Sequence, residues 1–355
     1  MKKIYTTIVL TIIMFFLVAC KDNVVTRRNF VIASMDTSIG GYFYAPKKSH
    51  DKVFNGINNI YKDVEELTDN FMSHGDKHDI FYINNLIKDS DEVLTIEIDK
   101  LLYDILEEAL YIYEETNGYF DFSMGKIIDV WKDLIDEYEH KGRVPLDKIN
   151  ETYEIVQEID VIKDPISLSV EEDKYYVSVK PGVKIDLGAH VKGYATELVK
   201  QYLIEEGITD FLISGGSSSM TMGRNGNREE GYYIIGLKNP LGISENDYYG
   251  FYDLTDTSIS TSGSYEQYVP GADNKWYHHI ISPKTKAPVN KYYTITIIGD
   301  DAGLLDGFST ALFLMDLEEI NDFITKHDEY ELVIYENEEN IINFNQSDRF
   351  RPRNK

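Results

Sequence analysis

Apolar residues recur at spacings of three and four in three stretches of the chain. Val53, Ile57, Ile60, Val64, Leu67 and Phe71 form the first. Leu101, Leu102, Ile105, Ala109, Ile112 and Tyr113 form the second, and Val191, Ala195, Leu198, Val199, Tyr202 and Leu203 the third. That period lays one apolar stripe along a helix, so each stretch predicts an amphipathic helix on a core. Asn117-Gly118 and Gly207 follow the second and third stretches, where glycine takes a left-handed cap without steric cost. Short β-branched and aromatic runs predict strands at 94–98, 166–170, 175–179, 211–213, 231–238, 250–260, 277–282 and 293–298. Residues 28–46 read as a strand pair, or a bent strand interrupted at Gly40-Gly41. Residues 73–83 read as a loop, 133–160 as a charged, partly helical segment, 302–316 as a helix and 330–345 as a last strand pair. Helices interspersed with antiparallel-looking strands predict an α+β fold with mixed or antiparallel sheets, not a doubly wound parallel one.

Charge narrows the partners. Of 355 residues, 35 are basic and 61 acidic, a formal net charge of −26. Broad nucleic-acid binding needs a basic footprint, so no nucleic-acid partner is expected. With 43% hydrophobic and 27% charged residues the chain can build a core and is not mainly disordered. The single cysteine, Cys20, excludes an intrachain disulfide and a cysteine-based zinc site.

That cysteine closes an N-terminal pattern. Lys2 and Lys3 precede an apolar run from Ile4 to Leu17, which ends at Leu17-Val-Ala-Cys20. The run is short of the ~18 apolar residues of a membrane helix. It resembles a bacterial lipoprotein signal peptide with its lipobox, implying cleavage after residue 19 and lipidation of Cys20. The expected organisation is therefore a signal peptide at 1–19, a lipidated N-terminus and polar linker at 20–29, and one domain at 30–350. The expected location is the extracytoplasmic face of the bacterial cell membrane, reached through the lipid anchor.

Four segments carry candidate chemistry. Asp186-Leu-Gly-Ala-His-Val-Lys-Gly-Tyr-Ala195 puts a carboxylate and a glycine at the entrance of a helix. A helix N-terminus has free N–H groups and a positive dipole end, and Lys192 adds a cation, so the segment suits phosphate. The plainer reading makes Asp186 an N-cap and Lys192 a solvated side chain. Asp306-Gly-Phe-Ser-Thr310 lies in an apolar helix, with Asp306 and Thr310 four apart and so on one face. Carboxylate, hydroxyl and carbonyl oxygens suit a hard cation such as Mg²⁺; the alternative is a threonine bonded back to the carbonyl four residues earlier. Ser260-Thr-Ser-Gly263, followed by His278-His279, offers hydroxyl donors and an imidazole able to move a proton at neutral pH. A strand histidine is equally a structural hydrogen-bonder. In Thr116-Asn-Gly-Tyr-Phe-Asp-Phe-Ser123, Tyr119 and Phe120 can flank a planar ring with Asp121 at its edge, or simply pack in the core.

In their order along the chain, these segments resemble the ApbE family, the FAD:protein FMN transferases. The family is similar in a Met-x-Thr start, a Thr-(Asn/Asp)-Gly-x-Phe-Asp block, Asp-Leu-Gly-x-x-x-Lys-Gly-Tyr-Ala, Gly-Gly, Thr-Ser-Gly, His-x-Ile-Asp-Pro-x-Thr-Gly and Ala-Asp-x-x-(Ala/Ser)-Thr-Ala. The counterparts are Met35 to Thr37, Thr116 to Asp121, Asp186 to Ala195, Gly215-Gly216, Thr261 to Gly263, His279 to Lys286 and Leu305 to Ala311. The resemblance implies an FAD cleft lined by Met35, Tyr119, Phe120, Asp121, Asp186 and Lys192, with Thr261, Ser262 and Gly263 nearby. It implies Mg²⁺ held by the backbone of Ala189, by Asp306 and Thr310 and by the backbone of Ser309. His279, with Asp306, is the implied catalytic group. The implied reaction passes FMN from FAD to a serine or threonine hydroxyl of an extracytoplasmic acceptor protein and releases AMP. An Mg²⁺-dependent FAD pyrophosphatase and a non-catalytic FAD-binding lipoprotein are the alternatives. Four positions depart from the family pattern: Ser282 stands for aspartate, Lys286 for glycine, Ser264 for aspartate and Ser217 for aspartate or asparagine.

Overall fold

The computed structural model describes residues 24–353, apart from 243, 245 and 266. Cys20 and the signal segment lie outside the described residues. An eight-stranded sheet organises the chain. Its strands, in spatial order, are Val25–Ser34, Thr37–Pro46, Phe211–Gly215, Ser219–Met222, Thr257–Gly263, Thr294–Gly299, Glu331–Asn337 and Asn340–Phe344. Spatial order equals chain order, and every neighbouring pair is antiparallel. Between successive strands the chain makes excursions that carry the eight described helices: α1 His50–Thr68, α2 Ile80–Ile87, α3 Lys100–Glu115, α4 Gly125–Tyr138, α5 Leu146–Gln157, α6 Val191–Glu205, α7 Ala302–Leu314 and α8 Leu317–Lys326. The fold is α+β, as the interspersed pattern predicts. Among the described residues no helix is long and apolar enough to cross a membrane.

The three predicted stripes are helical and face the main core. Val53, Ile57, Val64 and Leu67 of α1, Leu102, Ile105, Ala109 and Ile112 of α3, and Val191, Ala195, Val199 and Leu203 of α6 are buried in it. A second apolar cluster joins α4 and α5, through Trp131 and Ile149, to Val269, Tyr277 and Ile281. A third covers the opposite face of the sheet with Tyr233, Tyr252 and Phe350.

Several elements differ from the sequence reading, each for a local reason. Phe71 leaves the first stripe: α1 ends at Thr68, the Asp69 carboxylate accepts from the amides of Phe71 and Met72, and Phe71 is 55% exposed. Residues 73–83 are not all loop, because Asp79 caps α2 by accepting from the Tyr82 amide. Residues 28–46 are a hairpin whose turn is Met35-Asp36, both at φ 53°, and Gly40-Gly41 lies inside the second strand. There Leu212 O and the Ile213 backbone leave Gly41 no room for a side chain. The first strand starts at Val25, within the stretch read as linker, and pairs Val25 with Pro46. Residues 250–260 split into Tyr248–Leu254 and Thr257–Gly263 at a turn where Asp256 has φ 47°.

Candidate functional site

Two helices that pack without a side chain between them form the floor of the site. A Cβ on Gly193, in the first turn of α6, would lie 2.3 Å from Ala302 O and 2.5 Å from Asp306 Cβ of α7. The absence of that carbon lets the Asp306 Oδ2 accept from the Gly193 amide at 2.9 Å. Asp306 Oδ1 accepts from Ser260 Oγ at 3.2 Å, across the sheet–helix boundary. Asp306 is buried, with 4% exposure.

Strand alternation supplies the hydroxyls beneath it. In Thr257–Gly263 a period of two sends Ser258, Ser260 and Ser262 to the α7 side and Ile259 and Thr261 to the other. Ser260 Oγ lies 3.2 Å from Ser219 Oγ and 3.4 Å from Ser309 Oγ. Ser262 Oγ lies 2.8 Å from Ser309 Oγ and 3.3 Å from Thr310 Oγ1. Thr261 instead meets Thr296 Oγ1 at 2.9 Å, so it is separated from its predicted companion Ser262. Ser309 and Thr310 both donate back to Asp306 O, at 2.9 and 3.4 Å, so the back-bonded reading of Thr310 holds alongside its place beside Asp306.

The segment before α6 is a turn rather than a cap. His190, not Asp186, is the N-cap, and it makes no side-chain capping bond. Asp186 Oδ1 accepts from the Gly188 amide and Oδ2 from Asn70 Nδ2, each at 2.9 Å. Lys192 Nζ donates to Gly188 O at 2.8 Å and is therefore tied to the same turn. At this helix start Val191 N donates to Leu187 O and Gly193 N to Asp306, so the fold itself spends two of the N–H groups expected to be free.

The remaining motifs converge on this floor. The Asp186 amide donates to Phe122 O at 2.7 Å, joining the 116–123 block to the turn. Asp121 accepts from both the amide and the hydroxyl of Ser123; burial, partly offset by those bonds, pushes its pKa up. Phe120 packs edge-on against His190, 6.1 Å between ring centroids. A Cβ on Gly215 would lie 2.2 Å from Thr196 Oγ1 of α6, and one on Gly216 3.0 Å from Thr37, which brings the Met35 hairpin tip alongside. Met35 N donates to Glu65 at 2.7 Å.

The rim is made of charge. Tyr119 donates to both Glu319 carboxylate oxygens, at 2.6 and 2.5 Å, and Lys284 Nζ lies 3.8 Å above the Tyr119 ring centroid while bonding Tyr119 Oη and Glu319. Burial acts to raise the Glu319 pKa, but the bonds from Tyr119, the Asp316 amide and Lys284 outweigh it and hold it at about 2. The two adjacent histidines separate cleanly. His278 is buried, its Nε2 bonds Val289 O at 3.0 Å, and the Ile280 amide donates to Nδ1 at 3.2 Å. Burial, and then neighbouring His279, push its pKa down to about 3. His279 is exposed. Two of the departures from the family pattern keep the following turn. Ser282 Oγ accepts from the Lys284 amide at 3.3 Å, and Lys286 takes φ 55°, the conformation for which glycine is the unstrained choice.

Sequence reading missed Asn70, Glu319, Lys284, Glu108 and His190. It named Ser260 as a hydroxyl donor but not its bond to Asp306; the signal for that bond was the serine alternation at 258, 260 and 262, since three polar residues on one strand face need a polar partner.

The oxygens suit a hard divalent ion. Each carboxylate oxygen of Asp306 has one protein donor and retains a further lone pair. Thr310 is half-buried beside it, and Ala189 is exposed on the turn before α6. Carboxylate, hydroxyl and carbonyl oxygens are the ligands such ions take. Among the described residues no group of three or more His, Cys, Asp and Glu side chains could hold a metal; the implied set contains one carboxylate.

The sequence profile of the ApbE family matches residues 35–334. An FAD:protein FMN transferase of Klebsiella pneumoniae strain 342 is 26% identical over 72% of this chain and 76% of its own. One from Escherichia coli K12 is 24% identical over 67% of this chain, and the match spans 66% of that protein, just under two thirds. The crystal structure of an ApbE protein of Thermotoga maritima superposes with a TM-score of 0.69 at 24% identity, over 87% of this chain and 94% of that one.

Proposed function

Since the chain belongs to the ApbE family, we propose that it transfers FMN from FAD to a protein, with a divalent ion bound at Asp306. The observation that carries this reading is the Asp306 constellation: one buried carboxylate shared between the start of α6 and a hydroxyl-lined strand, with Thr310 next to it. The acceptor group is a serine or threonine hydroxyl, and Mg²⁺ is the ion. The lipid anchor at Cys20 places the reaction outside the cytoplasmic membrane.

FAD is the donor substrate. The acceptor oxygen forms a bond to the FMN phosphorus, and the bond from that phosphorus to the bridging oxygen breaks. AMP leaves with that oxygen. Asp306, Thr310 and the backbone oxygens of Ala189 and Ser309 would hold Mg²⁺, which when bound neutralises charge on the diphosphate. Lys192 sits on the 186–190 turn as a second positive charge for the same group. His279 takes the hydroxyl proton at its imidazole, a role open to an exposed histidine. His278 is held by Val289 O and the Ile280 amide, which leaves the proton transfer to its neighbour. Met35, Tyr119, Phe120, Asp121 and Asp186 border the flavin.

The test mixes the protein with FAD, Mg²⁺ and a candidate acceptor, and reads the intact mass of the acceptor. A gain of one FMN supports the reading. AMP release at the same rate without acceptor indicates hydrolysis of FAD instead. His279→Ala should slow transfer by about a hundredfold, the lower end for loss of a general base, with a melting curve recorded to check that the variant is folded. Full labelling by that variant would contradict its role.

A further inference from the structure

Behind the exposed Ala189 turn lies a pair of side chains that the transfer reaction does not itself need. His190 is wholly buried, and its Nε2 lies 2.8 Å from Glu108 Oε1 of α3. Its Nδ1 is buried with no hydrogen-bond partner among the described residues. The ring is boxed by Phe120 and Tyr194, at centroid distances of 6.1 and 5.6 Å. An aromatic hydrocarbon would fill that box without an orphaned acceptor, so packing alone does not account for an imidazole here. Glu108 also reaches the other helix of the site: a Cβ on Gly303, in the first turn of α7, would lie 2.2 Å from its Oε1. One carboxylate thus touches both the residue after Ala189 and the turn that precedes Asp306.

We propose that Glu108 and His190 form a positioning strut that sets the Ala189 backbone carbonyl relative to Asp306 and so raises the site's affinity for a divalent cation. The inference rests on the proposed cation site. The bond at Nε2 fixes the ring. The ring fixes the peptide that follows Ala189, which is further held by His190 N donating to Leu187 O. Contact with the start of α7 keeps this peptide in step with the helix that bears the carboxylate. Buried partners of this kind orient the groups that bind a metal without touching it.

The experiment measures Mn²⁺ binding to the purified full chain in the presence of FAD, from the loss of the free-ion paramagnetic resonance signal. Parent, Asp306→Ala, His190→Phe, Glu108→Gln and Glu108→Ala are compared, each with its melting temperature. Asp306→Ala should abolish binding. His190→Phe keeps the ring and removes its polar atoms, so it should melt at or above the parent temperature yet bind Mn²⁺ about tenfold more weakly or worse. Glu108→Ala should weaken binding similarly. Glu108→Gln, which still accepts from Nε2–H, should restore most of the affinity, a rescue that a purely structural role would not produce. Should Asp306→Ala lose Mn²⁺ while His190→Phe binds within about twofold of the parent, below the usual range for such partners, the strut is overturned and the cation site stands. Unchanged binding by Asp306→Ala would overturn both. Because His190→Phe conserves volume, it decides the matter even where Glu108→Ala does not fold.

Discussion

Around Asp306 the polar contacts run between backbone, hydroxyl and a single carboxylate, with α6 and α7 locked at glycine distance and the Thr257–Gly263 strand bonded to α7 through Ser260. Around Tyr119 they run between long charged side chains, Lys284 and Glu319, that are 55% and 35% exposed. The floor has little freedom to adjust, and a bond lost there leaves a buried group unpaired. The rim is solvated and can exchange one ion pair for water at small cost. Chemistry that depends on fixed distances belongs on the first; recognition of a partner that varies belongs on the second.

Four changes probe that contrast. Asp306→Ala should have the largest effect, cutting FMN transfer by about a hundredfold or more, as removal of a preorganised electrostatic group does. It should also cost about 1–3 kcal/mol, since the Gly193 amide and Ser260 hydroxyl lose their acceptor; turnover and denaturant melts report the two separately. Gly193→Ala comes next. The new carbon meets Ala302 O, a backbone atom, and overpacking of this sort costs about 1–3 kcal/mol. Both the midpoint of unfolding and transfer should fall, and a silent substitution would mean that the two helices are not held at this distance.

His278 gives the third test. It stays neutral when folded down to about pH 3, against an ordinary value of 6.5. The unfolded chain therefore binds the extra proton first, and stability present above pH 6.5 is lost as pH falls toward 3. The slope is at most about 1.4 kcal/mol per pH unit. His278→Gln should flatten the stability curve over that window; an unaltered curve would show that other groups set it. Lys284→Met is the mildest. A half-exposed pair is worth about 0–1 kcal/mol, so the melting temperature should barely move, and any change in transfer should appear in KM rather than kcat. A large loss of stability would make the rim a second floor.

Much of the fold could be read from periodicity, because α1, α3 and α6 are amphipathic and their buried faces are those that the three-and-four spacing marks. The start of α4 at Gly125 could not, since it begins amid bonds to Lys184, far along the chain. Asp306 was visible as a carboxylate inside an apolar helix. Its partner amide at Gly193 was not, because a glycine near a helix start looks the same whether it permits a close crossing or merely a bend. Thr261 and Ser262 are adjacent in sequence yet face opposite sides of the sheet, a difference that a motif read as a string does not carry. His190 occupies a variable position of its motif, so nothing local pointed to Glu108, 82 residues away.

The order of strands in the large sheet has a consequence for descent. Each strand is hydrogen-bonded to the next along the chain, so no excursion has to thread past another to reach its place. Loops within 47–210 or 264–293 can gain or lose residues without any strand of this sheet changing its neighbours. A lineage could thus remodel the loops that meet new acceptors while inheriting the Asp306 floor intact.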